Sequence, residues 1–161
     1  MEAKPWIVLI VFLFIVLGTG SLASFLTARG VREWYPNLRK PPGTPPSWVF
    51  GPVWTTLYVL MAISAWLIWR NYGWAGGRSA LVLFFGQLAF NAAWSGIFFG
   101  ARLPGLAFAE IVTLWLAILF NLLVFYWLLP IAAYLLLPYL VWVTYASYLN
   151  AGIWRLNRPS A

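Results

Sequence analysis

Long apolar runs separated by short polar connections dominate this chain of 161 residues. Each run is long enough to cross a bilayer as a helix, which takes roughly 20 residues. The runs are continuous and do not alternate with polar residues, as the strands of a membrane barrel would, so helices are expected. The pattern predicts an all-α integral membrane protein, a five-helix transmembrane bundle in a single domain over residues 1–161. The predicted helices cover about residues 5–27, 47–69, 79–99, 104–129 and 131–154.

The connections between the predicted helices differ in length. Gly73, Gly76 and Gly77 break the second helix from the third, and Pro130 marks a sharp turn before the fifth. The connection between the first two helices, residues 28–47, is much longer and is rich in proline and aromatic residues. Prolines restrict the backbone and aromatic rings need a surface to pack on, so a folded loop is predicted. The alternative is a solvated loop that carries an interfacial aromatic belt.

Composition and charge support the membrane assignment. Hydrophobic residues make up 63% of the chain and charged residues 8%, whereas soluble domains carry about 25% charged residues. The net charge is +7, and the basic residues lie in the connections between the apolar runs. The sequence shows no nucleic-acid-binding motif, so the expected partners of these charges are lipid headgroups. Three basic residues fall on the N-terminal side and seven on the other side. This asymmetry predicts an external N-terminus and a cytosolic C-terminus.

The chemistry available to the chain is restricted. It contains twelve tryptophans but neither histidine nor cysteine. Thiolate chemistry is therefore excluded, no metal site is predicted and no cofactor is expected to be required. Abundant large rings are instead suited to binding flat molecules by stacking.

The predicted third helix has two different faces. One face carries Gln87, Asn91, Trp94, Ser95 and Phe98. Its amide groups would lack hydrogen-bond partners in lipid, so this face should point into the bundle. There it would either form hydrogen bonds between helices or serve as the wall of a pocket. The opposite face carries only small residues, which permit close helix packing against another span or a second protomer. This predicted packing face comprises Ala89, Ala92, Ala93, Gly96 and Gly100.

Four tryptophans lie at similar depth within different predicted helices, away from the helix ends where an interfacial belt would place them. They are Trp54, Trp94, Trp115 and Trp142. Their convergence below the long loop predicts a ligand cavity, and the alternative is simple core packing. Glu110 is the one acid inside a predicted span and is a functional candidate, although no catalytic role is assigned to it.

Ordered motifs along most of the chain resemble the translocator protein family, also called TspO, tryptophan-rich sensory protein or peripheral benzodiazepine receptor. The first motif runs from Trp34-Tyr35 through Lys40-Pro41, Pro45-Pro46 and Trp48 to Pro52-Val53-Trp54 and Tyr58. The others are Phe90-Asn91-Ala92-Ala93-Trp94-Ser95, Pro138-Tyr139-Leu140 with Trp142, and Trp154-Arg155-Leu156-Asn157.

The resemblance implies a five-helix bundle, usually a homodimer packed through the third helix, with a pocket under the first loop. It implies binding of porphyrins such as protoporphyrin IX, of haem and of benzodiazepine-site ligands. The matching pocket positions are Tyr35, Pro45, Phe50, Trp54, Tyr58, Asn91, Trp94, Ser95, Ile111, Trp115, Trp142 and Ala146. The implied location is a bacterial cell membrane or the mitochondrial outer membrane.

Three functions follow from the resemblance and the residues together. The first is a tetrapyrrole receptor, in which Arg32, Arg39 and Lys40 could meet porphyrin propionates. The second is a light-dependent porphyrin-degrading enzyme with Trp54 and Trp142 as the catalytic candidates. The third is a transporter of tetrapyrroles, lipids or sterols. Ala151 stands where the animal cholesterol motif has tyrosine, which weakens the expectation of a sterol partner.

Overall fold

The computed structural model describes residues 4–158, and the regular secondary structure in that range is helical. Four helices in these residues are long and apolar enough to cross a membrane. They are α1 (Pro5–Arg29), α2 (Ser47–Ser95), α3 (Pro104–Leu128) and α4 (Pro130–Leu156). Pro5, Pro104 and Pro130 each open their helix, a position where proline lacks only an N–H that would be unpaired anyway.

Helix α1 continues further than the sequence predicts. A π-helical turn (Gly30–Trp34) and a 3₁₀ turn (Tyr35–Asn37) follow it directly. The first part of the predicted loop is thus helical, and only residues 38–46, called the lid from here on, connect to α2 without a helix. Pro36 fits inside the 3₁₀ turn because proline is tolerated in a first helical turn.

Helix α2 is interrupted once, at Gly73, whose φ of 62° and ψ of −171° are not helical. The predicted break over residues 70–78 is therefore too wide, since Gly76 and Gly77 remain helical. The two parts, α2a (residues 47–72) and α2b (residues 74–95), lie against each other. The Tyr58 hydroxyl donates to Asn91 Oδ1 across 33 positions of sequence, at 2.8 Å.

The interior is mostly apolar, and so is the outer surface. Helix α1 packs on α2, α2 packs on α3 and α4, and α3 packs on α4. Large side chains such as Phe14, Phe25 and Trp127 point outward and are 78%, 78% and 83% exposed. An outer surface of this kind is stable in lipid and unfavourable in water.

The lid is folded and is attached to the end of α4. Asn157 Nδ2 donates to the Arg39 carbonyl at 2.9 Å, and the Arg39 N–H donates to Asn157 Oδ1 at 3.0 Å. Gly152 lies so close to Pro41 that a Cβ there would come within 2.6 Å of the proline ring. The last helix thus holds the backbone of the lid in a defined position.

Two tyrosine hydroxyls of α4 reach the middle of the lid. Tyr145 donates to the Gly43 carbonyl at 2.5 Å, and Tyr148 donates to the Pro42 carbonyl at 3.0 Å. These bonds satisfy carbonyls of the lid, which has no helical backbone hydrogen bonds to satisfy them. The lid is accordingly an ordered part of the fold.

Candidate ligand-binding cavity

A cavity of about 640 Å³ lies between α1, the lid-side half of α2a and the end of α2b. This volume is within the range of roughly 300–1,000 Å³ that is typical of small-molecule sites. Its lining consists of Leu17, Gly20, Ser21, Ser24, Thr27, Ala28, Val31, Arg32, Tyr35, Ser47, Phe50, Gly51, Trp54, Thr55, Tyr58, Trp94, Ser95 and Phe99.

Two glycines set the height of the cavity: Gly20 in α1 and Gly30 in the π-helical turn that continues it. Gly20 packs directly on the ring of Tyr58, and Gly30 packs on the backbone carbonyl of Phe99. A side chain at either position would collide with these groups. Between them α1 rises about 15 Å, at about 1.5 Å per residue, and this stretch of helix forms one wall.

The opposite wall is aromatic. The rings of Trp54 and Tyr58 stack with centroids 5.6 Å apart, and Tyr35 meets Phe50 edge to face at 6.5 Å. Phe99 lies across the end of α2b and contacts Tyr35 at 5.6 Å. Such a wall offers ring faces and edges to a flat ligand.

The α1 wall is more polar. Ser21, Ser24 and Thr27 recur at three-residue spacing and line the cavity together. Arg32, one turn beyond Arg29, lines the cavity at its lid end. The cavity therefore pairs an aromatic side with a hydroxyl-bearing side and a cation at one end.

Buried hydrogen bonds fix the aromatic wall. Tyr58 donates to Asn91 Oδ1, and Asn91 Nδ2 donates to the Tyr139 hydroxyl at 3.1 Å. Trp94 Nε1 donates to Asn150 Oδ1 at 3.0 Å, and Asn150 in turn donates to the Pro104 carbonyl at 2.7 Å. These amides join three helices and hold the rings of Tyr58 and Trp94 in place.

Half of the predicted pocket residues line this cavity and half do not. Those that line it are Tyr35, Phe50, Trp54, Tyr58, Trp94 and Ser95. The remaining six, Pro45, Asn91, Ile111, Trp115, Trp142 and Ala146, lie outside its lining, and no described residue of α3 or α4 contributes to it.

The residues outside the lining have other contacts. Trp115 Nε1 donates to Thr144 Oγ1 at 2.7 Å and so joins α3 to α4. Trp142 lies behind Phe50, with ring centroids 5.9 Å apart. Ile111 and Ala146 are buried.

Two of the predicted functional candidates carry buried polar atoms that lack a hydrogen-bond partner among residues 4–158. These atoms are both carboxylate oxygens of Glu110 and Nε1 of Trp142. Each is a group whose burial is costly without a partner. Neither residue lines the cavity.

Sequence reasoning missed the contribution of α1. Its hydrophobicity is nearly uniform around the helix, so periodicity alone does not reveal which face turns inward. A usable signal was the grouping of Gly20, Ser21, Ser24 and Thr27 in an otherwise apolar run. Small and hydroxyl residues inside a membrane helix often mark a contact or a cavity.

A π-helical turn (Gly96–Gly100) continues α2b directly, and the small-residue face of α2b extends onto it. The two faces of this continuous helical stretch differ in exposure. Gln87, Asn91, Trp94 and Phe98 are buried, whereas Ala89, Ala93, Gly96 and Gly100 are exposed. Ala92 and Gly96 also border a shallow groove of about 170 Å³ beside α1. The small-residue face is therefore largely uncovered in a single chain.

Long apolar helices with outward-facing apolar side chains define a multi-pass helical membrane protein, here rich in aromatic clusters. Its residues 10–155 match the TspO/MBR family. Because the match covers most of the chain, the protein belongs to that family.

Individual relatives agree with this assignment. The chain is 40% identical to the tryptophan-rich protein TspO of Archaeoglobus fulgidus, over 92% of this chain and 96% of the relative. It is 40% identical to the translocator protein of Homo sapiens, over 96% and 93%. It is 40% identical to the tryptophan-rich sensory protein of Cereibacter sphaeroides, over 80% and 81%.

Proposed function

We propose that this protein is a membrane receptor that binds porphyrins and other flat amphipathic ligands in the cavity between α1 and α2. The observation that carries the proposal is the pairing of an aromatic wall with a single cation at the lid end of the same cavity. Stacking on Trp54 and Tyr58 supplies affinity for a flat ring. Arg32 supplies a partner for a carboxylate.

Of the three basic residues considered for propionate binding, Arg32 is the best placed. Lys40 is engaged in the lid, where its Nζ donates to the carbonyls of Pro36 and Leu38, each at 3.2 Å. It also lies 4.8 Å from the centre of the Tyr35 ring. Arg39 is held through its backbone by Asn157 and does not line the cavity.

The chain offers no histidine or cysteine to ligate iron, so ring stacking and charge pairing are the proposed sources of affinity. Iron-free protoporphyrin IX is then expected to bind about as tightly as haem. A tyrosine ligand remains chemically available to iron. A large preference for haem would contradict the stacking mechanism.

Binding is favoured over light-dependent degradation as the primary function. Trp54 lines the cavity, but Trp142 stands behind Phe50 and would not touch a ligand there. Illumination of the porphyrin complex would distinguish the two. Product formation that disappears in Trp54→Phe and persists in Trp142→Phe would support a reaction confined to this cavity.

The binding proposal is tested by titrating protoporphyrin IX into the purified protein and following porphyrin absorbance. Trp54→Leu is expected to weaken binding by about 0.5–1.5 kcal/mol, the contribution typical of one pair of stacked rings, or by more. Trp127→Leu is the control, because Trp127 lies on the outer surface.

Arg32→Gln should weaken binding more at low salt than at high salt. Arg29→Gln, which removes the exposed partner of Glu33, is its control. Equal affinity in all four variants would overturn the proposal.

The number of membrane crossings depends on whether the two parts of α2 cross the bilayer separately. We infer that α2a and α2b cross the bilayer separately, so that the chain crosses five times. Forty-nine helical residues would extend about 73 Å at 1.5 Å per residue, more than twice the hydrocarbon thickness of about 30 Å. The charge asymmetry then favours an external N-terminus and a cytosolic C-terminus.

We also propose a homodimer that packs through the small-residue face of α2b. Support comes from the exposure of Ala89, Ala93, Gly96 and Gly100 on one side of a helix whose other side is buried. Small residues allow two helices to approach closely in lipid. Sterol binding is not part of the proposal.

A further inference from the structure

The cavity is open along one side, between α1 and α2a. Four of its lining residues near this gap are exposed to the surroundings of the bundle: Ser21 and Ser24 on α1, and Gly51 and Thr55 on α2a. We call this gap the lateral slot. It ends below at the contact between Gly20 and Tyr58, where the two helices touch.

The depth of the lateral slot places it beside lipid tails. Ser21 lies eight residues before the end of α1 at Arg29, and Thr55 lies eight residues after the start of α2 at Ser47. At about 1.5 Å per residue, Thr55 lies about 12 Å inside its helix. Ser21 lies at least as deep, because helical turns continue α1 to Asn37. The hydrocarbon core of a bilayer is about 30 Å thick, so the lower part of the slot faces acyl chains.

The upper end of the lateral slot has a different character. Arg32 and Ser47 line the cavity there and are exposed, at the level where lipid headgroups are expected. The slot therefore runs from a cationic end near the headgroups to an apolar end among the acyl chains. An amphipathic ring with carboxylates on one edge would lie in a bilayer with the same orientation.

The lid is a less suitable entrance. It is attached to α4 by Asn157, Tyr145 and Tyr148, and entry beneath it would require several of these bonds to break. Entry through the lateral slot breaks no hydrogen bond among the described residues that line it on the α2a side, since Thr55 Oγ1 bonds within its own helix.

We propose that ligands reach the cavity from the bilayer through the lateral slot, with the ring sliding between α1 and α2a while its carboxylates stay near Arg32. This inference rests on the proposed porphyrin-binding function and adds a route to it. On this route, the side chains at Ser21, Ser24 and Thr55 determine how fast the ligand associates with the cavity. The lid serves to hold the cavity in shape.

The natural absence of cysteine allows a direct test. Ser24→Cys would be alkylated with a bulky maleimide in the full-length protein and reconstituted into vesicles. Phe25→Cys, treated in the same way, is the matched control, because it lies at the same depth but points to lipid, 78% exposed, away from the cavity. Protoporphyrin IX dissolved in the same vesicles is the probe, and Trp quenching after rapid mixing gives the rates.

Alkylation at Ser24→Cys is expected to slow association by about tenfold or more, within the one to three decades over which association rates vary at one site. Dissociation should slow as well, while alkylated Phe25→Cys keeps the rates of the unmodified protein. Thr55→Cys, on the other side of the slot, should repeat the Ser24→Cys result if folding of one variant is disturbed.

Two failures can be told apart. If unmodified protein binds porphyrin and alkylation at both slot positions leaves association unchanged, the lateral route is wrong although the cavity still binds. Faster association in Asn157→Ala together with that result would place the entrance at the lid. If unmodified protein does not bind porphyrin at all, the proposed function fails and the route falls with it.

Discussion

Gly20 shows how one missing side chain shapes the cavity. Its Cα faces the ring of Tyr58 with no space for a methyl group, and Tyr58 is in turn held by Asn91. Gly20→Ala is therefore expected to destabilise the protein by about 1–3 kcal/mol, as overpacking usually does, and to weaken porphyrin binding by displacing Tyr58. Gly18→Ala is the control, because nothing lies within 4 Å of its added Cβ. Equal thermal stability of the two variants in detergent would refute this view of the contact.

Asn157 attaches the lid to the end of α4. It pairs with both the N–H and the carbonyl of Arg39. Asn157→Ala removes two hydrogen bonds, each worth about 0.5–1.5 kcal/mol, so amide hydrogen exchange over residues 38–46 should accelerate by about tenfold. Asn71→Ala is the control, because Asn71 bonds only within its own helix, to the Leu67 carbonyl. Unchanged exchange in the lid of Asn157→Ala would show that the tyrosine bonds suffice.

Residue by residue, the sequence prediction matches the aromatic side of the cavity lining better than its polar side. Trp54, Tyr58 and Trp94 carried strong signals because deep aromatics and a buried amide neighbour are unusual in a membrane helix. Trp142 carried an equal signal, yet it stands behind Phe50. Which ring covers which depends on side-chain packing between helices, and no periodicity encodes that.

At the scale of elements, Gly73 decides the path of α2. Its positive φ with ψ near 180° is a conformation that is essentially confined to glycine. Gly73→Ala is expected to cost about 1–3 kcal/mol of stability, measurable as a lower melting temperature in detergent. Gly86→Ala replaces a helical glycine with open space around it and should be neutral or slightly stabilising. A melting temperature for Gly73→Ala equal to that of Gly86→Ala would contradict the argument.

The elements also show what a sequence pattern can locate. The start of α3 at Pro104 and the turn before Pro130 were predictable because proline fits a helix start well, whereas inside a helix it removes a backbone hydrogen bond. The rule is a preference, since Pro52 and Pro138 lie inside α2 and α4. The helical extension of α1 through Asn37 was not, since Gly30 and Pro36 both resemble breakers in sequence. Gly30 remains helical because its missing side chain lets α1 pack on the Phe99 carbonyl, a tertiary contact that local sequence does not reveal.

For the molecule as a whole, five crossings would place the two ends of the chain on opposite sides of the membrane. Lys4→Cys and Arg158→Cys, each as the single cysteine, would be exposed to an impermeant maleimide in vesicles of uniform orientation. One of the two is expected to react before the vesicles are opened and the other only afterwards. Reaction of both, or of neither, in intact vesicles would indicate an even number of crossings.

The uncovered face of α2b leads to a prediction about assembly. Ala93→Trp should shift a dimer toward monomer in detergent, because a large ring prevents the close approach that small residues allow. Leu116→Trp, at another exposed position on α3, should leave the assembly unchanged. Light scattering of the two purified variants measures the difference. Identical dimers in both would exclude this face as the interface.

The pairing of Arg39 with Asn157 joins positions 118 residues apart in the chain. A ribosome releases these two residues at very different times, and α2, α3 and α4 must be inserted before they can meet. A nascent chain arrested before Asn157 would carry α1, α2 and their rings, but it would lack one of the three α4-side partners that hold the lid. The lid is thus fixed to α4 later than α1 and α2 can form the walls of the cavity.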